Sequence, residues 1–478
     1  IYQTSLWQAG QFMNPINHFS DWIPNTETFN QLHFMPVGFI YGLFYRIFSP
    51  MITTGLLYII VFSLSTIIIY RIVNSIMNNN IYSSLFAILH NLYFFLPQNH
   101  FYPLDDFAVL FIAGGIYYFL TNKLNLATLF FVIALMHKEY YGLAISSFSL
   151  GQLIKLFIYS NRGKKIIQLE KSETSVFLLL WLIGGTLWFA ISFFIIMPIS
   201  GVGWINNGMF KEVGGIIGPL ENFSNFINII LDRFNHPINI QFIINLLIPF
   251  CFFSLIGFEY FFAVIPILLI IVATDDFHAS KNAVNHYTIW FSPFITTSAA
   301  LGFKKLLKYF NSNFNLKILI VFCISTSFIY FSCSRIRLQG YYLKGRILEN
   351  QVLYYYRNDI KNIIKHIPSN SSIATDDRLL PYLSNRQYLY TLSHIEVSNP
   401  DFVLRDYFQK EKTKLYDDIY GNDFIRTYSI PPQEFYNSKD WDNAKIDNEY
   451  SAKYELHSRS GAIVLYKRKA KLLKYSQI

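Results

Sequence analysis

Two stretches of this chain, MITTGLLYIIVFSLSTIIIY (51–70) and SVFLLLWLIGGTLWFAISFFIIMPIS (175–200), contain no acidic or basic side chain. Each is long enough, as a helix rising about 1.5 Å per residue, to cross a hydrocarbon core of roughly 30 Å. A helix apolar on every side has no polar face to turn to water, so it belongs in lipid or deep inside protein. Similar runs recur through the first two thirds of the chain. The expected fold is an all-α polytopic membrane protein whose first partner is the lipid bilayer. Only 14% of the 478 residues are charged, against about a quarter in a soluble domain.

The hydropathy pattern predicts ten spans, at about 51–72, 82–97, 107–121, 124–137, 139–159, 175–198, 240–257, 259–273, 286–303 and 317–333. The short amphipathic segment PVGFIYGLFYRIF (36–48) is expected to lie in the interface instead of crossing. The chain begins at Ile1 with a polar-aromatic loop, and we expect one further transmembrane helix to precede it.

Basic residues then orient the spans. Arg71, Lys123, Arg162, Lys164, Lys165, Lys171, Lys304, Lys305 and Lys308 fall on one set of connections. Asp21, Glu27, Asp105, Asp106, Asp275 and Asp276 fall on the other. Cytoplasmic loops carry the excess of Lys and Arg, so the acidic side faces outward. This places the polar tail outside the cell membrane. The same distribution accounts for the net charge of +9 without a nucleic-acid partner. Cys251, Cys323 and Cys333 lie in or beside apolar segments and read as small buried hydrophobes, not as a disulfide framework or metal site.

Composition changes sharply after Cys333. NDIKNIIKHIP (358–368) has helical apolar spacing, while SSIATDD (371–377), FVLRD (402–406) and AIVLYKR (462–468) read as strands. DRLLPYLSNRQYLYTL mixes helix-like and strand-like pieces. The expected division is a first outer loop with its interfacial helix (1–50), a transmembrane helical domain (51–333) and a small extracytoplasmic α/β domain (334–478).

The most unusual stretch is ALMHKEYYGLAI (134–145), which sets His137, Lys138 and Glu139 inside an apolar run. As one helix, residues 124–159 would extend about 54 Å, far beyond the hydrocarbon thickness. Two spans meeting near HKEYYG are expected, with the charges at the outer boundary. Acids and histidines gather in the other outer loops as well: 17–36, 98–107 and 273–287. Ionisable residues at membrane depth are candidates for function by default. The candidate catalytic carboxylates are Glu139, Asp106, Asp105 and Asp21. The candidate substrate-binding residues are Lys138, His33, His286, Tyr102 and Asp275. A carboxylate in a low-dielectric site suits general-base work on a hydroxyl, and Lys or His beside it offsets phosphate charge. The Asp pairs suit a divalent cation, although no HExxH or paired CxxC occurs. Each group also has a structural reading: Asp105 and Asp106 as caps of a helix beginning at Phe107, and the histidines as interfacial side chains.

HFMP (33–36), FYPLDD (101–106), HKEYYG (137–142), NAVNHYTIWFSPF (282–294) and IPSNSSIATDDRLLPYLSNRQYLY (367–390) occur in this order. Together they resemble the predicted membrane proteins of domain of unknown function 2079, over most of the chain. The tail pattern formed by Leu380, Leu383 and Arg386 adds to the resemblance. That family in turn resembles multi-span GT-C type glycosyltransferases, which implies a polyprenyl-phosphate sugar as donor and an essential acid in the first outer loop. Family members tend to carry an F-D-x-G motif just before the stretch matching IYQTSLW, a position that here precedes Ile1. Gln3 stands where an acid is often found.

The leading expectation is a glycosyltransferase working on the outer face, with Glu139 and Asp106 at the reaction centre or holding a metal, and Lys138 and His33 near the phosphate. The alternatives are a transporter or flippase, with Lys138 and Glu139 in a translocation path, and a non-catalytic membrane scaffold.

Overall fold

The structure, a computed structural model, describes residues 35–48, 50–91, 103–160, 168–196, 223–273, 289, 291–309, 357–376, 379–383, 385–386, 388, 389–392, 395–407 and 452–469. The described part is mostly helical, with one small sheet near the C-terminus. The helices are α1 (Val37–Phe44), α2 (Pro50–Met77), α3 (Asn80–His90), α4 (Pro103–Leu120), α5 (Leu124–Leu135) and α6 (Tyr141–Ser160). Next come α7 (Gln168–Ile191), which runs into a π-helical turn (Ser192–Ile196), α8 (Phe223–Phe234) and α9 (Pro237–Leu247). The helices α10 (Phe253–Ile256), α11 (Phe258–Phe261), α12 (Ile265–Ala273) and α13 (Ser292–Tyr309) complete the apolar part.

Helix α2 illustrates the solvent for which these helices are built. Tyr58, Val61, Ser65, Ile69, Ile72 and Ile76 recur at three- and four-residue spacing and are buried, as one stripe of a helix should be. The opposite face is equally apolar: Ile52, Ile59, Ile60 and Ile67 are all exposed, Ile59 to 67%. An aqueous surface would carry charge there, whereas lipid favours what is found. Among the described residues three helices are long and apolar enough to cross a membrane: Ile52–Met77, Tyr141–Ile158 and Ser172–Ile196. Asp106–Leu120 and Leu124–Leu135 are shorter apolar helices. The expected span at 317–333 lies outside the described residues.

Local chemistry explains several boundaries. Asn78 takes a left-handed φ of 50° after α2. The Asn79 side chain then accepts hydrogen bonds from the amides of Ile81 and Tyr82, which caps α3. Helix α4 starts at Pro103, a residue preorganised for a first helical turn. Asp105 and Asp106 therefore lie within that turn, and the reading in which they cap a helix beginning at Phe107 is corrected. Helices α6 and α7 approach closely through glycine: a Cβ added at Gly142 would sit 2.5 Å from the Gly185 carbonyl oxygen. Such contacts are how helices associate when lipid leaves no hydrophobic drive between them.

Residues 240–273, expected as two continuous spans, are instead a chain of short pieces. Helix α9 gives way to a 3-10 turn (Ile248–Phe250) holding Pro249, and Cys251 and Phe252 then take left-handed φ of 48° and 59°. Gly257 follows, pressed against α13 so closely that a Cβ would lie 2.0 Å from the Ser298 carbonyl oxygen. The Ser298 hydroxyl lies 2.6 Å from the Ser254 carbonyl and 2.5 Å from the Gly257 carbonyl, groups that a continuous helix would otherwise use. Broken backbone of this kind is tolerated at membrane depth when buried in protein.

The C-terminal part has its own core of Ile360, Ile363, Ile373, Leu383, Val403, Val464 and their neighbours. Helix α14 (Arg357–Ile364) precedes β1 (Ile373–Thr375), α15 (Leu380–Leu383), β2 (Leu389–Thr391), α16 (Ile395–Ser398), β3 (Phe402–Asp406), β4 (Tyr454–Ser460) and β5 (Ile463–Arg468). The strand order is β2-β1-β3-β5-β4. β1 is parallel to β2 and β3, joined through the short helices, while β5 is antiparallel to β3 and β4. This is the small α/β arrangement that the strand pattern predicts. Leu380 and Leu383 enter its core, and the Arg386 guanidinium donates to the Ile367 and Pro368 carbonyls.

Candidate functional site

The turn 136–140 separates α5 from α6 and carries the HKE triplet. The charges gain no water by being in a turn: His137 and Glu139 have no exposed surface and Lys138 is 2% exposed. Groups of this kind are retained in an interior only when other polar groups satisfy them. Lys138 Nζ lies 5.9 Å from the centroid of the Tyr140 ring, within cation–π range. Tyr140 in turn packs near Phe189 and Phe193, at the π-helical end of α7.

Helix α1 closes the other side of the turn. Its Val37 and Tyr41, with the flanking Met35 and Tyr45, pack on Tyr58 and Val61 of α2 and on Phe107 and Leu110 of α4. Phe39, Ile40, Leu43 and Phe44 stay exposed on its outer face. This two-sided apolar character follows from sitting between protein and lipid. The Val37 amide donates to the Met136 carbonyl at 3.1 Å, tying α1 to the turn through backbone.

His137 is held at both ring nitrogens. Nδ1 lies 2.7 Å from the Ile133 carbonyl oxygen and Nε2 lies 3.0 Å from the Tyr41 hydroxyl. A carbonyl only accepts, so Nδ1 carries a proton; in the neutral ring Nε2 then accepts from Tyr41. Asp106, fully buried in the first turn of α4, accepts a hydrogen bond of 2.7 Å from the Tyr58 hydroxyl. The two polar pairs share an aromatic wall. Phe107 meets the rings of both Tyr41 and Tyr58, at 5.2 and 5.1 Å, and Phe111 stands 5.1 Å from the His137 ring.

Asp106 and the HKE turn, separate in sequence, are thus drawn to one end of the bundle by α1, α2 and α4. Asp105 lies beside Asp106 on the backbone of α4. Asp21, His33, Tyr102, Asp275 and His286 lie outside the described residues. Tyr41, Tyr58 and His137 belong to the arrangement but were not among the candidate site residues. His137 was legible as part of the HKE triplet; the tyrosines carry no local signal beyond a polar tip on a large apolar ring. Among the described residues no group of three or more His, Cys, Asp or Glu side chains is placed to hold a metal ion.

Two carboxylates and a lysine are thus enclosed at the end of a lipid-facing bundle, next to a hydrogen-bonded imidazole. The apolar exposed faces and the long apolar helices define a membrane protein. A family profile for predicted membrane proteins, DUF2079, matches residues 16–441, and the chain belongs to that family. No curated protein matches it significantly, and neither does any solved structure.

Proposed function

We propose that this protein is a glycosyltransferase that moves a sugar from a polyprenyl-phosphate donor to an acceptor hydroxyl on the outer face of the cell membrane. The observation that carries the reading is the enclosure of Asp106, Lys138 and Glu139 at one end of the bundle. Intramembrane ionisable groups are kept where they serve a substrate, and the head of a lipid-linked donor reaches such a boundary. In this reading Glu139 or Asp106 takes the proton of the acceptor hydroxyl as its oxygen attacks the anomeric carbon. The carbon–oxygen bond to the phosphate breaks, configuration inverts, and polyprenyl phosphate leaves with its charge offset by Lys138. Asp21 and His33 of the first outer loop (1–50), with Asp105, Tyr102, Asp275 and His286, are assigned to the same reaction from the sequence. The resemblance of the family to GT-C type enzymes, drawn from its sequence motifs, suggests the reaction class by analogy alone.

The reading includes the orientation that the Lys and Arg distribution favours, with the transmembrane domain over 51–333 and the tail domain over 334–478 outside the cell. A divalent cation on the Asp pairs is compatible with it.

A transporter or flippase is the second reading, and the broken stretch from α9 to α12 favours it, since discontinuous helices commonly frame substrate paths. Glu139→Gln separates the two. The test is donor turnover and lipid flux in vesicles, with bound lipid extracted from the full-length protein. Loss of turnover with polyprenyl-phosphate binding retained supports the transferase. Loss of flux, with no turnover by the wild type, supports the transporter, and loss of neither removes the site from function.

A further inference from the structure

Lys155 lies fourteen residues beyond Tyr141 on α6, about 21 Å along the axis, at the opposite end of the helix from the HKE turn. There α11 packs between α6 and α13. Gly151 permits the approach: a Cβ on it would come 2.5 Å from the Glu259 carbonyl oxygen. One residue on, the Gln152 amide donates to that same carbonyl at 3.1 Å.

The Glu259 side chain is 2% exposed, and Lys305 of α13 grips both of its oxygens, at 2.9 and 2.8 Å. Lys305 also donates to the Ile256 carbonyl at 3.2 Å. Lys155 is half-buried within electrostatic reach of both Glu259 and Lys305. Among the described residues no hydrogen bond or ion pair engages its ammonium. The cluster therefore carries two cations for one carboxylate, and the carboxylate is already spanned by one of them. Glu259 draws both ammonium groups, but the cluster keeps one net positive charge, half-buried at Lys155, which a further anion would neutralise.

The flanking surface identifies the anion's carrier. Leu255, Ile256 and Phe258 around the break, and Phe157 and Ile158 on α6, are all exposed. A free inorganic anion gains nothing from such a rim, whereas acyl chains do. Lys304, Lys305 and Lys308 also put this end on the basic side of the bundle, where anionic lipids concentrate and basic pockets between helices bind their head groups. We propose that Lys155 and Lys305 hold the phosphate of an anionic phospholipid whose chains lie along α6, α10 and α11. This site is separate from the HKE turn and does not depend on the reaction assigned there.

The test uses the full chain in nanodiscs of phosphatidylcholine, titrated with phosphatidylglycerol and followed by native mass spectrometry and thermal midpoint. Phosphatidylglycerol should be retained and should raise the midpoint, while added inorganic phosphate should not. Lys155→Gln should lower that retention about fivefold, the weight of one basic residue against anionic lipid. Lys155→Arg should preserve it, and Lys361→Gln in the tail domain should leave it unchanged. Equal retention by Lys155→Gln and Lys361→Gln would overturn the proposal. So would an equal midpoint shift with free phosphate, which would make this a site for any anion. Should Lys155→Gln not fold, the absence of phosphatidylglycerol-dependent stabilisation in both wild type and Lys155→Arg is the overturning result.

Discussion

The hydroxyl of Tyr58 on α2 donates to Oδ2 of Asp106 on α4 at 2.7 Å, with both side chains buried. This pair fixes where a carboxylate sits at one end of the bundle. Tyr58→Phe keeps the ring against Phe107 but removes the donor from a buried carboxylate. We expect a loss of about 1–3 kcal/mol, the range for a hydrogen bond to a charged or fully buried partner. Asp106→Asn should lower stability as well. The double variant should fall short of the sum, because Tyr58→Phe removes the contact that Asp106→Asn only weakens. Thermal unfolding of the four proteins in one detergent measures the coupling, and strict additivity would mean the pair is not formed.

Tyr41 stands in the same relation to His137, and here the consequence is local. Tyr41→Phe removes the hydroxyl facing Nε2 but leaves the ring against Phe107. Helix α1 then depends on its apolar face and the Val37–Met136 backbone hydrogen bond. We expect faster amide exchange at Val37 and through α1, with α6 and α7 unchanged, since regions with fewer buried contacts open first. Unchanged exchange at α1 would show that its seat does not need the hydroxyl.

These two pairs also mark where sequence reasoning ends. The HKE turn was legible because charges interrupt an apolar run too long for one span. Lys155 and Glu259 were not, because each sits singly among apolar residues and the packing of α11 against α6 is what brings them within electrostatic reach. FVLRD and AIVLYKR announced β3 and β5 by β-branched and apolar runs. YELHSRS, which forms β4, has a mostly exposed or half-buried burial pattern at the sheet edge, so its pattern gives little signal. The break at 248–262 escaped for another reason: hydropathy counts apolar side chains and is blind to the left-handed turn at Cys251 and Phe252. What satisfies that break is Ser298, more than forty residues away.

The glycine contact between α6 and α7 has a steric consequence. A Cβ at Gly185 would lie 2.6 Å from the Gly142 carbonyl oxygen and 3.2 Å from atoms of Ser146. The nearest of these is backbone, so no side-chain rotation relieves it. Gly185→Val should separate the two helices, at a cost of about 1–3 kcal/mol or more for overpacking. Gly184→Val, where a Cβ meets nothing within 4 Å, should be close to neutral. Comparing folded yield and thermal midpoint of the two variants checks this, and similar losses in both would mean that helix propensity, not contact, sets the effect.

The tail domain offers a pH dependence with a defined sign. Burial by itself raises the Asp401 carboxyl. The Ser372 hydroxyl at 2.8 Å, the Ser372 amide at 3.0 Å and Arg468 at 2.6 Å outweigh it and hold the group below the usual carboxylate range. A folded-state pKa below the unfolded one means that the unfolded chain binds the proton more readily. The stabilisation is therefore present above about pH 4 and is lost as pH falls through the lowered folded value. Asp401 ties the start of β3 to Ser372 beside β1 and to the end of β5, so its protonation should loosen all three strands. Amide exchange of residues 372–375, 402–406 and 463–468, corrected for its intrinsic pH dependence, should lose protection on acidification below about pH 4. In Asp401→Asn the same strands should be less protected at neutral pH and show a flatter acid response. A wild-type acid response retained in full by the variant would place the titrating group elsewhere in the domain.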